Sequence, residues 1–84
     1  MDRKRILATI VETACAIDDK LDGSAITLDG APLKDHGVTS LTVLQVAARL
    51  EDDYGITIND TEVMLADSAL ALVELVERKT AAAA

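Results

Sequence analysis

Residues 37–58 read GVTSLTVLQVAARLEDDYGITI, and this stretch has the clearest periodicity in the chain. Val43, Val46, Ala47, Leu50 and Tyr54 recur at i, i+3, i+4, i+7 and i+11, the spacing that gathers side chains on one face of an α-helix. Gly55 stands where a C-terminal glycine is expected, so the spacing predicts a helix from Ser40 to about Tyr54. Ile56 and Ile58 then tuck back toward the core. Leu41, Leu44 and Ala48 form a second apolar stripe, rotated to one side. Either the helix is deeply buried or this stripe faces a partner, with Gln45, Arg49 and Asp52 alongside it as a rim.

Toward the N-terminus, Ile6, Leu7, Ile10, Val11, Ala14 and Ile17 make one apolar stripe, which predicts a first helix from about Arg3 to Asp19. Asp22-Gly23-Ser24 breaks that pattern. Residues 21–39 have no sustained period and contain Gly23, Gly30, Pro32 and Gly37. Leu21, Ile26, Leu28 and Leu33 are spread through them, as in an ordered loop packed over a core. Toward the C-terminus, Asn59 or Asp60 can cap a short third helix through Leu65. Asp67 or Ser68 can cap a fourth, with Ala69, Leu72, Val73 and Val76 as its buried stripe. The expected architecture is all-α: a small antiparallel four-helix bundle of three main helices and one short one, with a long loop between helices 1 and 2. Residues 1–80 form one domain. Residues 81–84 are a poly-Ala stretch that extends the last helix, frays, or is an added tail.

The chain has 84 residues, half of them hydrophobic, and carries a net charge of −7. That field repels phosphate backbones and anionic lipid. Tyr54 is the only aromatic residue, so base stacking is unavailable. Nucleic-acid and membrane partners are therefore excluded, and a basic protein surface is the expected macromolecular partner. Arg3, Lys4 and Arg5 begin the chain and Arg78 and Lys79 end it. Between them stand only Lys20, Lys34 and Arg49, so the middle is strongly acidic. A single cysteine, Cys15, excludes an internal disulfide. The apolar stretch after the basic start is broken by Thr9, Glu12 and Thr13, as in an amphipathic helix rather than a signal peptide. The expected location is the cytoplasm.

Two runs, Gly37-Val38-Thr39-Ser40-Leu41 and Leu50-Glu51-Asp52-Asp53-Tyr54-Gly55-Ile56-Thr57-Ile58, together resemble the acyl carrier protein family. In that family a Leu-Gly-x-Asp-Ser-Leu stretch opens a helix. A Leu-Glu-acidic-acidic-Phe-Gly-Ile-x-Ile run closes it. The spacing between the two halves matches without a gap. The resemblance extends to the length, the acidic balance, the long first loop and the short third helix. Three departures stand out. Thr39 replaces the Asp before the serine, and His36 replaces the usual apolar residue before the glycine. Thr42 and Gln45 replace acids early on the helix, while Arg49 adds a positive charge.

The resemblance implies that Ser40 carries a 4′-phosphopantetheine arm whose thiol holds acyl groups as thioesters. It implies a carrier rather than an enzyme, served by a phosphopantetheinyl transferase and an acyl- or aminoacyl-loading ligase or acyltransferase. A ketosynthase or other thioester-processing enzyme would act on its cargo. Leu41, Leu44 and Ala48 are the expected centre of the docking face, Gln45 and Arg49 its flank, and Glu51 and Asp52 its acidic end. The Leu50–Ile58 run and the acidic balance lean toward an acyl or polyketide carrier. The departures at Thr39, Thr42 and Gln45 lean away from central fatty-acid synthesis, so the expectation is a pathway-specific, monomeric carrier of natural-product biosynthesis, of polyketides or related compounds. The alternatives are a stand-alone aminoacyl or peptidyl carrier and a cofactor-free acidic helical adaptor.

Each singled-out residue also has a plainer reading. Ser40 is a favoured N-cap type, and Thr39 can fill the same role. His36 is a loop residue beside Ser40 whose charge can change near neutral pH, and a full catalytic triad with it is not expected in so short a chain. Cys15 fits as a small buried hydrophobe. Consecutive residues Glu51, Asp52 and Asp53 point in different directions on a helix and make a solvated acidic face rather than a metal site. Asp18, Asp19 and Asp22 read as a helix end and turn. Ala47, Ala48, Ala66, Ala69 and Ala71 are small enough to leave room between helices for an acyl chain.

Overall fold

The first helix begins where Asp2 can cap it: its carboxylate accepts the Lys4 amide at 2.9 Å. In the computed structural model, which describes residues 2–83, α1 spans Arg3–Ile17, α2 Ser40–Tyr54, α3 Asp60–Leu65 and α4 Ala69–Ala83. Two short 3₁₀ turns, Gly23–Ala25 and Leu33–His36, punctuate the long connection between α1 and α2. Among the described residues there is no β-strand, only an isolated bridge between Pro32 and Ser68. No helix among them is long and apolar enough to cross a membrane. The four-helix architecture is the one expected from the sequence.

α1 packs on α2 and α4, and α2 also packs on α3 and α4. The Arg3 guanidinium meets Glu77 at 2.8 Å, so the start of α1 lies beside the C-terminal half of α4 and the two run antiparallel. Ile6, Ile10 and Ala14 of α1, Val46, Ala47 and Leu50 of α2, and Leu72, Val73 and Val76 of α4 are buried together. Leu75 joins them, because α4 is covered on more than one side. Val43 and Tyr54 are only half-buried at the edge of this core. Side chains of this core are aliphatic throughout, so packing rests on branched shapes rather than rings.

α1 ends two residues short of the expected Asp19. Asp18 adopts an extended backbone and its carboxylate accepts the Lys20 amide at 3.1 Å, a local turn that competes with further helix. Ile17, the last member of the predicted stripe, is 41% exposed at this helix end. The loop is ordered, as expected. Ile26 and Leu33 are buried and Leu21 and Leu28 pack against the core. The Leu33 amide donates to the Asp67 carbonyl at 2.8 Å and ties the loop to the α3–α4 junction.

The later caps resolve the alternatives. Asn59 caps α3 in a capping box with Glu62. Ser68 Oγ accepts the Ala71 amide at 3.0 Å and caps α4. α4 continues through Ala83, so residues 81–83 of the poly-Ala stretch extend the helix, and Ala84 lies outside the described residues. Cys15 is half-buried rather than fully enclosed, packed against the glycine turn at Gly23.

Gly23 and Gly55 are required for different reasons. A Cβ at Gly23 would lie 2.7 Å from Val11 Cγ1 and 3.1 Å from Cys15 Sγ. Gly55 ends α2 at φ 63° with nothing near its Cβ position. Gly23→Ala should therefore lower unfolding free energy by about 1–3 kcal/mol through overpacking, partly relieved by Val11→Ala. Gly55→Ala should cost about 1–2 kcal/mol from the left-handed backbone alone, with no relief from that second change. Urea unfolding of the four variants measures both.

Two carboxylates fix the outer ends of the helices. A hydrogen bond from Arg3 holds Glu77 below its ordinary titration range, and one from Lys79 does the same for Glu62, aided by the Asn59 amide. A depressed folded-state value means this stabilisation is present above the ordinary glutamate value of 4.5 and is lost as pH falls through the lower folded-state values. The melting temperature should fall on acidification through that window. Glu62→Gln with Glu77→Gln should flatten the fall, and salt should weaken the wild-type dependence, since both pairs are solvent-accessible.

Candidate functional site

The turn before α2 is held at two buried points. Leu33 and Val38 are both inserted in the core, and the Val38 amide donates to the Leu33 carbonyl at 3.2 Å. Between them Gly37 reverses the chain at φ 80°, a conformation that costs a glycine little. Thr39 is extended and takes the N-cap position of α2. Its Oγ1 accepts the Thr42 amide at 3.2 Å and donates to Thr42 Oγ1 at 3.1 Å.

Ser40 therefore becomes the first residue inside the helix, exposed, with an Oγ that makes no hydrogen bond among the described residues. The capping reading of Ser40 is set aside by this geometry, because Thr39 fills that role. The N–H groups of Ser40 and Leu41 precede the first intrahelical acceptor and face the helix entrance, where the dipole favours negative charge. An exposed, unbonded hydroxyl beside open amide donors fits a phosphodiester.

His36 ends the second 3₁₀ turn and is half-buried. Among the described residues it makes no hydrogen bond to Ser40; its charge instead lowers the titration of Asp22 and Asp29 as a minor cause. The main cause is the Ser24 hydroxyl for Asp22 and the Ala31 amide for Asp29. Among the described residues no base or orienting acid is hydrogen-bonded to Ser40, so nothing in this arrangement activates it as a nucleophile.

A cavity of about 360 Å³ opens beside Ser40 between α2 and α3. Val43, Leu44, Val63 and Met64 line it, with Leu33 and Val38 from the preceding turn. Of the five alanines expected to make room, only Ala66 reaches this cavity. Ala47 and Ala69 are buried in the core, Ala71 is half-buried, and Ala48 is exposed.

The second stripe of α2 is surface, not core. Leu41 is 65% and Leu44 43% exposed, and Ala48, Gln45, Arg49 and Asp52 are exposed along the same helix. Three contacts along α2 were not legible in the sequence. Thr42 is only 5% exposed, turned inward to the Thr39 hydroxyl, so it takes no part in the charge pattern of that face. The Glu51 carboxylate accepts the Ile58 amide at 2.9 Å and fixes the turn after α2. Arg49 is exposed and pairs with Asp53 one turn along the helix at 3.0 Å.

The sequence reading missed Met64 and Leu65 on α3, which are 81% and 77% exposed. Their signal was present: a helix of six residues seats Val63 in the core and has no inner face left for two more apolar neighbours. No cluster among the described residues suits a metal ion.

Because Thr39 is the cap, Thr39→Ala should destabilise the protein by about 1 kcal/mol. Thr39→Asp should retain the cap, and Ser40→Ala should leave thermal stability unchanged. Differential scanning calorimetry separates the two residues.

Comparison with known proteins agrees with this geometry. A family model described as "Phosphopantetheine attachment site" matches residues 5–76. Comparison with curated proteins gave no match. Among solved structures, the chain is similar to hexanoyl acyl carrier protein, a non-natural intermediate, from the actinorhodin polyketide synthase of Streptomyces coelicolor, determined by NMR in solution. The two share 34% identity over 94% of this chain and 90% of that one, with a TM-score of 0.77. A free serine at a helix entrance, a four-helix bundle and a matching attachment-site model over most of the chain make this protein a member of the acyl carrier family, a carrier domain for covalent 4′-phosphopantetheine.

Proposed function

We propose that Ser40 is the residue that takes the 4′-phosphopantetheine arm, and that the chain is an acyl carrier of natural-product biosynthesis, with polyketide intermediates as cargo. The observation that carries the proposal is the Ser40 hydroxyl itself: exposed, unbonded, and relieved of capping by Thr39. When bound, the arm supplies a terminal thiol that holds the cargo as a thioester. The chain's own part is delivery. The open amides of Ser40 and Leu41 stabilise the phosphate oxygens, and Leu41 and Leu44 give partner enzymes an apolar centre to read.

The polyketide reading draws support from the actinorhodin relative, and the apolar cavity beside Ser40 suits an acyl chain better than an aminoacyl group. The relative is described with a six-carbon acyl group, hexanoyl, which is in keeping with a groove of this kind. The partners are a transferase that uses coenzyme A, an acyl-loading enzyme and a ketosynthase, met in the cytoplasm. The acidic balance suits basic docking patches on all three.

Incubation with coenzyme A and a broad-specificity transferase should add one phosphopantetheine by intact mass, and Ser40→Ala should add none. Absence of the increment in the native protein across several transferases contradicts the proposal.

Docking is tested separately. Leu44→Asp should slow transfer to the cognate enzyme strongly, by about 2 kcal/mol or more, because it places an unpaired charge at the interface centre. Arg49→Glu should alter mainly the association rate and its salt dependence. Transfer rates at two salt concentrations distinguish them, and a folded Leu44→Asp protein with unchanged transfer moves the docking face off α2.

A further inference from the structure

The cavity beside Ser40 is not uniformly apolar. Lys34, Asp60 and Asp67 line it together with the aliphatic residues. Lys34 differs from the cations that are spoken for elsewhere: Arg3 pairs with Glu77, Arg49 with Asp53 and Lys79 with Glu62. Among the described residues the Lys34 ammonium has neither an ion pair within 4.0 Å nor a hydrogen bond, and Lys34 is the one basic residue on this lining. Its backbone is nonetheless fixed. Leu33 beside it is buried and donates to the Asp67 carbonyl at 2.8 Å, while the Lys34 carbonyl accepts the Gly37 amide at 3.1 Å. The side chain thus leaves a rigid turn at the mouth of the cavity.

We propose that Lys34 is the specificity-determining residue of this cavity, donating a hydrogen bond to a keto oxygen on the lodged chain so that oxygenated acyl chains are favoured over plain alkyl ones. The inference rests on the reading of Ser40 as the attachment residue. A plain alkyl chain gains only apolar burial against Val43, Leu44, Val63 and Met64 and is indifferent to Lys34. A chain with a carbonyl places an acceptor among apolar walls, where it loses water and needs a donor. The ammonium offers three donors, and a hydrogen bond from a charged donor is stronger than a neutral one. Charge decides which oxygen suits it. The cavity already carries two carboxylates, Asp60 and Asp67, against one ammonium. An added carboxylate would increase that negative excess, whereas a neutral ketone accepts the bond without adding charge.

The test uses the full chain loaded with octanoyl or 3-oxooctanoyl phosphopantetheine, as wild type, Lys34→Ala and Lys34→Arg. Two readouts are taken: the Met64 methyl chemical shift, and the rate at which hydroxylamine, a neutral nucleophile, cleaves the thioester. The proposal expects the Met64 methyl to shift on loading with either chain. It expects Lys34→Ala to speed cleavage of the 3-oxooctanoyl form by about threefold, leave the octanoyl form unchanged, and be rescued by Lys34→Arg. Equal changes for both chains, or no change for either, overturn it, as does a Met64 methyl that moves with neither chain. If the protein gains no phosphopantetheine mass at all, the reading of Ser40 fails first; a loaded protein indifferent to Lys34 sinks only this inference.

Discussion

The Thr39 hydroxyl accepts the Thr42 amide at 3.2 Å, and on that hydrogen bond depends what Ser40 is free to do. A helix entrance leaves amide groups without partners, and the nearest short polar side chain is drawn in to satisfy one of them. Either Thr39 or Ser40 suits that duty by chemistry. The extended backbone of Thr39 gives it the cap, and Ser40 falls inside the helix with its Oγ facing solvent. That placement is fixed from behind by Leu33 and Val38 in the core and by the reversal at Gly37. The long loop is therefore part of the site: its buried aliphatics set where α2 starts.

Where the sequence was legible, one strong signal acted alone. The limits of α2 followed from the i, i+3, i+4 stripe and Gly55, and α4 from Ala69, Leu72, Val73 and Val76, all four buried. Prediction weakened wherever two partners competed for one group. Thr39 and Ser40 were equivalent as caps on paper, and only backbone geometry separates them. Glu51 read as a surface acid beside Asp52 and Asp53, but the Ile58 amide, seven positions along the chain, claims it. Thr42 stood where the family carries acids, and its buried contact with the Thr39 hydroxyl was not legible from that position. Such contacts depend on how the chain folds back after a turn, which periodicity does not encode. The exposed stripe of Leu41, Leu44 and Ala48 was visible as a surplus, and its exposure shows that this side of the helix is not core.

Small size shapes the division of labour. An 84-residue domain buries a modest core, and as a carrier it relies on the chemistry of its covalently bound group. What the chain shows is an exposed serine at a fixed helix entrance, a largely aliphatic cavity next to it, and an exposed apolar stripe along α2. The ion pairs of Arg3 with Glu77 and Lys79 with Glu62 join the outer ends of the helices, and Arg49 pairs with Asp53 within α2. Among the described residues Lys34 has no ion pair, and it lines the cavity beside Ser40.

The central claim is that one hydroxyl, that of Ser40, is the modified atom. Peptide mapping of the transferase-treated protein by tandem mass spectrometry tests it most directly. The account predicts the phosphopantetheine increment on Ser40 alone, with Thr39, Thr42 and Ser68 unmodified, because the Thr39 and Ser68 oxygens cap helices and Thr42 Oγ1 accepts the Thr39 hydroxyl. An increment on Thr39 or on any other hydroxyl, with Ser40 unchanged, contradicts it.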